Sequence, residues 1–166
     1  MITKKDLLDW LKVIDSKLKK NIELVAVGGT AMTLLNLKSS TIDIDFCVYS
    51  KDIKDFKQAL DNKFRVDLFV DGYIFSEQLP SDYVDKSKVI KKLKNITLRS
   101  LDPVDIIITK ASRLNARDEE DIEVLSKLVN KKYLINRFKQ VVTTYSGDED
   151  NYTNNFNIIL KRFFDQ

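Results

Sequence analysis

Apolar and polar positions along this chain repeat with two periods, and the changes between them mark out the elements. Leu7, Leu8, Leu11, Ile14 and Leu18 recur at helical spacing with lysines opposite, which predicts an amphipathic helix over 3–20 with Trp10 in its packing. Residues 22–27 are apolar apart from Glu23 and read as a buried strand. Gly28 and Gly29 end it; a short helix over 30–37 and a second strand over 41–49 follow. Ser50 or Asp52 is placed to cap a helix running to about Asn62, with Phe56 and Leu60 inward. Residues 64–70 alternate, with Val66, Leu68 and Val70 on one face and Arg65, Asp67 and Phe69 on the other. Residues 72–94 show no clear period, and Pro80 favours loop in part of them. Residues 96–99 suit a short strand. Pro103 suits the first turn of a helix over 104–114, and 117–130, 132–145 and 151–164 read as three more helices.

These elements imply an α/β (α+β) chain: a mixed sheet of about four to five strands flanked by helices, then a helical tail. We expect a core over 1–114 and a helical segment over 115–166 packed on it as a single compact unit. The 166 residues are 43% apolar with nine Phe and six Tyr, enough for a real core, and four Gly and two Pro leave little for linkers. No apolar run is long enough to cross a membrane, and the first residues lack a signal-peptide pattern, so a cytoplasmic location is expected. The single cysteine, Cys47, excludes an intramolecular disulfide and reads as a small residue on a packed strand.

The absence of histidine changes the chemistry on offer. It removes Ser-His and Cys-His nucleophilic schemes and any His-containing zinc site. Proton transfer falls to Asp, Glu, Lys, Tyr or water, and hard cations held by oxygen remain. The net charge of +3 says little, but its distribution says more. Lys86, Lys88, Lys91, Lys92, Lys94 and Arg99 lie close together, and Lys131, Lys132, Arg137 and Lys139 form a second group. Such clusters hold phosphates or are solvated surface.

The most specific feature runs from Val27 to Phe46: a Gly-Gly turn after an apolar run, a short helix, then Asp43 and Asp45 inside a second apolar run. On a strand, residues i and i+2 share a face, so the two acids project together while Ile42, Ile44, Phe46 and Val48 pack the other way. Two adjacent acids repel, and a bridging divalent cation gives the pairing a purpose. This stretch resembles the signature of the polymerase-beta-like nucleotidyltransferase superfamily. Leu101 to Ile122 is similar to a second hallmark of its minimal stand-alone branch, which includes abortive-infection (AbiEii-type) toxins of toxin–antitoxin pairs.

The resemblance implies the nucleotidyltransferase fold, an NTP substrate and Mg²⁺ (or Mn²⁺) held by Asp43, Asp45 and Asp67. Asp67 would help to deprotonate the acceptor, and Asp71 lies close enough in sequence to compete for that place. It implies that Gly28, Gly29 and Thr30 receive the triphosphate, where an ordinary strand-to-helix turn is the plain alternative. It places Lys110 on the triphosphate with Arg113 assisting; the alternative is a solvent-facing helix side. Asp118 can equally cap the next helix, with Asp121 in its first turn. One departure from the pattern stands out: Ser39 occupies a position where many relatives have Arg, with Lys38 the nearest base, while the usual Thr41 is present. The implied acceptor is RNA, tRNA 3′ ends among the options, or a partner protein such as an antitoxin. A catalytically inactive module of the same fold, binding nucleotide, RNA or a partner protein, is the competing reading.

Overall fold

The computed structural model describes residues 1–165. The described residues divide into two units, one of residues 1–72 and 81–101, the other of residues 73–80 and 102–165. The chain passes from one unit to the other at Leu101/Asp102, and the helix that begins at Pro103 packs with the later helices.

In the first unit, β1 (Ile2–Thr3) leads into α1 (Lys4–Ser16), β2 (Ile22–Ala26) and α2 (Gly28–Leu34). Then come β3 (Ser40–Thr41), β4 (Ile44–Val48), a 3₁₀ turn over Ser50–Asp52, α3 (Ile53–Ala59) and β5 (Val66–Val70). The chain returns with α4 (Tyr83–Lys86), β8 (Lys88–Lys92) and β9 (Ile96–Ser100). Five of these strands lie side by side in the order β5-β4-β2-β9-β8. β4 runs parallel to β5, and β2 parallel to β9; β2 is antiparallel to β4, and β8 to β9. A separate ribbon pairs β1 with β3. With the hairpin of β6 (Tyr73–Ile74) and β7 (Glu77–Gln78) in the second unit, the described residues form more strands than the four to five expected.

Local chemistry explains the element ends. Thr3 caps α1 reciprocally: its hydroxyl accepts from the Asp6 N–H, and the Asp6 carboxylate accepts from the Thr3 N–H. Leu7, Trp10, Leu11 and Ile14 bury the inner stripe of α1. At its far end the buried Asp15 carboxylate accepts from the Asn95 and Ile96 amides, each at 2.8 Å, tying α1 to the β8–β9 turn. Asp52 is buried and does not cap α3 through its side chain; it pairs with Lys20 at 2.8 Å. Cys47 is buried on β4, where burial pushes its thiol up, away from the nucleophilic thiolate.

The second unit holds the hairpin of β6 (Tyr73–Ile74) and β7 (Glu77–Gln78), and helices α5 (Pro103–Ala111), α6 (Ala116–Ser126), α7 (Lys131–Val142) and α8 (Glu149–Ile159). A turn of π geometry over Leu160–Phe164 follows. Pro103 opens α5 as expected, and Val104 to Ala111 are all buried. The Tyr152 hydroxyl donates to the Ile108 carbonyl at 3.0 Å, and the Phe138 and Phe156 rings stack at 3.9 Å. The sequence placed Arg137 in a basic surface group. It is instead buried, donating through Nε (2.7 Å) and Nη2 (3.0 Å) to both oxygens of Asp105, because it sits on the apolar stripe of α7 with Leu134 and Val141.

Breaking a buried pair strands one charge without a partner, which typically costs about 3–5 kcal/mol, whereas replacing both members with apolar residues can be neutral. Asp105→Ala is therefore expected to destabilise the protein by roughly 3 kcal/mol, and Asp105→Leu combined with Arg137→Met to recover most of that loss. Chemical unfolding followed by circular dichroism checks both; a harmless Asp105→Ala would mean that the pair carries no weight.

Candidate active site

The strand expected over 41–49 is broken in two, and the break builds the site. Ser40–Thr41 pairs with Ile2–Thr3, the chain bends at Ile42 and Asp43, and β4 begins at Ile44. Two hydroxyls cause the bend. Thr30 and Thr41 both donate to the Asp43 carbonyl, at 3.1 and 2.9 Å. The same Thr30 oxygen accepts the Asp45 N–H at 3.0 Å. Asp43 thus sits just ahead of the ladder rather than in it, and Ile42 is 56% exposed instead of packing with Ile44, Phe46 and Val48.

Asp45 lies on β4 and is paired in register with Asp67 on the parallel strand β5. Register partners on adjacent strands share a face, and such strands run about 4.8 Å apart. Two half-buried acids are thereby set next to each other from different strands, with Asp43 two residues upstream of one of them. Asp67 has Arg65 at 3.7 Å, a pair in which the arginine is largely exposed, so it neutralises little. The Asp43 carboxylate makes no hydrogen bond or ion pair among the described residues. Asp71, the competing acid in sequence, lies past the end of β5 in a left-handed turn (φ 52°), and its carboxylate accepts from the Ser50 N–H. It is Asp67 that faces Asp45.

The two glycines differ in their reasons. Gly28 has φ 55°, a conformation that strains any residue with a Cβ, and it turns the chain from β2 into α2. Both glycines belong to the first turn of α2, which begins earlier than the expected Thr30. A Cβ on Gly29 would meet the Thr41 hydroxyl at 3.1 Å, so this position is kept bare by the same hydroxyl that holds Asp43. Thr30 is fully buried and already donates and accepts within the protein, which places it as a brace for the acids rather than a donor to a ligand.

Among the described residues no group of three or more Asp, Glu or Cys side chains is gathered closely enough to hold a metal ion as placed. The donor set nonetheless has the chemistry of a hard cation: oxygen only, from neighbouring positions. Asp43, Asp45 and Asp67 would have to swing together to share one.

In the second unit, Lys110 departs from both sequence readings, since it neither faces solvent nor offers a free ammonium. Its side chain is 4% exposed and pairs with Asp121 at 2.9 Å and Asp118 at 3.3 Å. Arg113 pairs with Asp118 at 3.1 Å and lies over the Phe75 ring at 4.6 Å. The helix cap is Asn115, with Asp118 as the reciprocal partner three residues on, so Asp118 holds the start of α6 and the ammonium of α5 together. These residues lock two helices. The sequence also carried no signal for Glu77. Its side chain is fully buried on the hairpin, Oε2 accepts from the Ser76 N–H at 3.1 Å, and Oε1 has no hydrogen-bond partner among the described residues. Burial raises its pKa to about 7, against opposing pulls from Ser112, Ser76 and Arg113.

The Gly-Gly turn into α2, Asp43 and the Asp45–Asp67 register pair thus lie together in the first unit. A family model described as a nucleotidyltransferase of unknown function (DUF6036) matches residues 5–166, and the chain belongs to that family. No curated protein and no solved structure matches it.

Two expectations follow. Gly29→Ala should crowd Thr41 and lower stability by about 1–3 kcal/mol, the usual range for overpacking. Adding Thr41→Ala should then cost less than the sum of the single changes, measured as a double-mutant cycle in urea. Glu77 binds its proton more tightly folded than unfolded. Its ionisation therefore adds nothing against folding below pH 4.5, opposes folding increasingly from there to about pH 7, and levels off above. Glu77→Gln should raise the melting temperature at pH 8 and leave it nearly unchanged at pH 4.5. A parallel pH profile for the two proteins would show that Glu77 titrates normally.

Proposed function

We propose that the protein transfers a nucleoside monophosphate from a nucleoside triphosphate to a hydroxyl acceptor, releasing pyrophosphate, with a divalent cation such as Mg²⁺. Membership of a nucleotidyltransferase family supports the reaction class. The observation that carries the reading is the register pairing of Asp45 with Asp67, beside Asp43 and the bare Gly28-Gly29 turn. Two carboxylates set side by side repel one another, and a shared cation relieves that repulsion.

In this scheme Asp43, Asp45 and Asp67 hold the cation. When bound, it screens the charge gathering on the phosphoryl oxygens. Gly28 and Gly29 open α2, where first-turn N–H groups receive the phosphate oxygens, while the Cβ side of Gly29 is taken by the Thr41 hydroxyl. Asp67, at the edge of the pair, receives the proton of the acceptor hydroxyl. The acceptor oxygen bonds to the α-phosphorus as the bond to the β-phosphate oxygen breaks, and pyrophosphate leaves. The acceptor is RNA, with tRNA 3′ ends among the candidates, and the resemblance to abortive-infection toxins makes a toxin role with an antitoxin partner the biological setting. One observation favours the second reading, a module of this fold that binds nucleotide without turnover: the acids are not gathered as placed.

Incubation with each labelled triphosphate, Mg²⁺ and total RNA tests the proposal by asking which partner acquires label. Losing a residue that merely supports a metal ligand commonly lowers activity about 10–100-fold, so Asp43→Asn, Asp45→Asn and Asp67→Asn should each exceed that loss. Variants as active as the wild type would sink the assignment. Triphosphate binding without any pyrophosphate release by the wild type would establish the non-catalytic module.

A further inference from the structure

The free edge of the first unit's sheet presents a feature that the acids do not use. A shallow groove of about 450 Å³ is lined by Lys4, Lys5, Leu8, Asp9 and Lys12 of α1 and by Lys91 of β8. Four ammonium groups face one carboxylate there, and Lys5 already neutralises that carboxylate at 2.6 Å. The local excess equals the net charge of +3 carried by the whole chain.

Edge strands often carry lysines simply to discourage pairing with another strand. β8 pairs with β9 alone among the described residues, and Lys88 and Lys92 are exposed on it, so edge protection is already provided. It does not require α1 to bring three more lysines to the same place. Nor is the convergence a loose one. A β-bulge between Val89 and Lys91 sets Lys91 opposite Leu98, the face of the buried core, whereas Val89 faces Arg99. The Asp15 carboxylate anchors α1 to the turn joining these strands. The basic track expected from Lys86 to Arg99 is correspondingly redrawn. Arg99 is held by Glu23 at 2.8 Å and by the Val84 carbonyl at 3.2 Å, which withdraws it, while Lys91 gains α1 lysines as neighbours.

We infer that this groove docks the ribose-phosphate backbone of a single-stranded RNA, the acceptor in the transfer reaction proposed above, on which this role rests. The lysines match a row of phosphates, and the half-buried Leu8 gives an apolar floor for a base. Acidic protein surfaces are the other polyanion such a groove attracts, and the test separates them.

Binding of a labelled single-stranded RNA of about twelve nucleotides, without triphosphate, is followed by fluorescence anisotropy across a salt series. Lys12→Gln with Lys91→Gln should weaken binding about tenfold and reduce the slope of log Kd against log salt by about 1.4, near 0.7 for each lost phosphate contact. Lys132→Gln with Lys139→Gln, on α7, serves as the control and should change little. An unchanged slope in the groove variant, or an equal loss in the control, overturns the inference. So does a wild type that binds polyglutamate but no RNA. Asp45→Asn should bind RNA like the wild type. Its failure to transfer label then bears on the catalytic reading alone, and normal transfer with intact RNA binding by the lysine variant bears on the groove alone.

Discussion

One hydroxyl organises the candidate site. Thr30 accepts the amide of Asp45 and donates to the carbonyl of Asp43, so a single oxygen on α2 fixes the backbone on both sides of Ile44. Thr41 adds a second donor to the same carbonyl, and Gly29 leaves room for it. This junction helps to set where the chain leaves the β1–β3 ribbon and joins the main sheet, together with the bonds from the Ile44 N–H to the Arg65 carbonyl and from the Val27 N–H to the Asp45 carbonyl. The placement of Asp43 ahead of the strand follows from it, while the β4–β5 ladder sets Asp45 opposite Asp67. A buried threonine suits the task because its hydroxyl donates and accepts at once while its methyl packs.

The first unit's candidate site and the second unit's helices treat charge in opposite ways. The second buries Asp105 with Arg137, and Lys110 with Asp118 and Asp121, each partner neutralised at hydrogen-bond distance. Such pairs fix which helices meet, because a helix arriving in another register would strand a charge. The first unit leaves Asp43 and Asp67 half-exposed, with only a long contact from Arg65 to Asp67. Water screens them there. The contrast is the physical basis for assigning ligand chemistry to the first set and architecture to the second.

Where pattern and structure part, a tertiary partner explains it. Lys110 sits among Ile106, Ile107, Ile108 and Ala111, and its flanking residues are as apolar as a buried helix requires. A lone lysine in such a run reads as functional until the acids that receive it are located, and those lie on another helix. Arg137 had a visible signal, since Leu134, Phe138 and Val141 mark its side of α7 as the inner one. Glu77 had none: its segment is too short and irregular to show a period, and burial depends on what covers it.

The sequence by itself determined the elements with strong periodicity and the glycine turn, and it singled out the candidate acids. Those features depend on neighbours within one turn or one strand, where spacing translates directly into geometry. It also separated Asp67 from its surroundings by alternation alone, placing it on the polar face of β5. Only the tertiary structure decided that Asp67 rather than Asp71 stands opposite Asp45, because strand register is a relation between segments distant in sequence. The same holds for the bend at Asp43, which needs hydroxyls from both α2 and β3, and for the ion pairs that claim Lys110 and Arg137. Pairing between remote segments is set by the summed packing of the fold, and no local pattern encodes it.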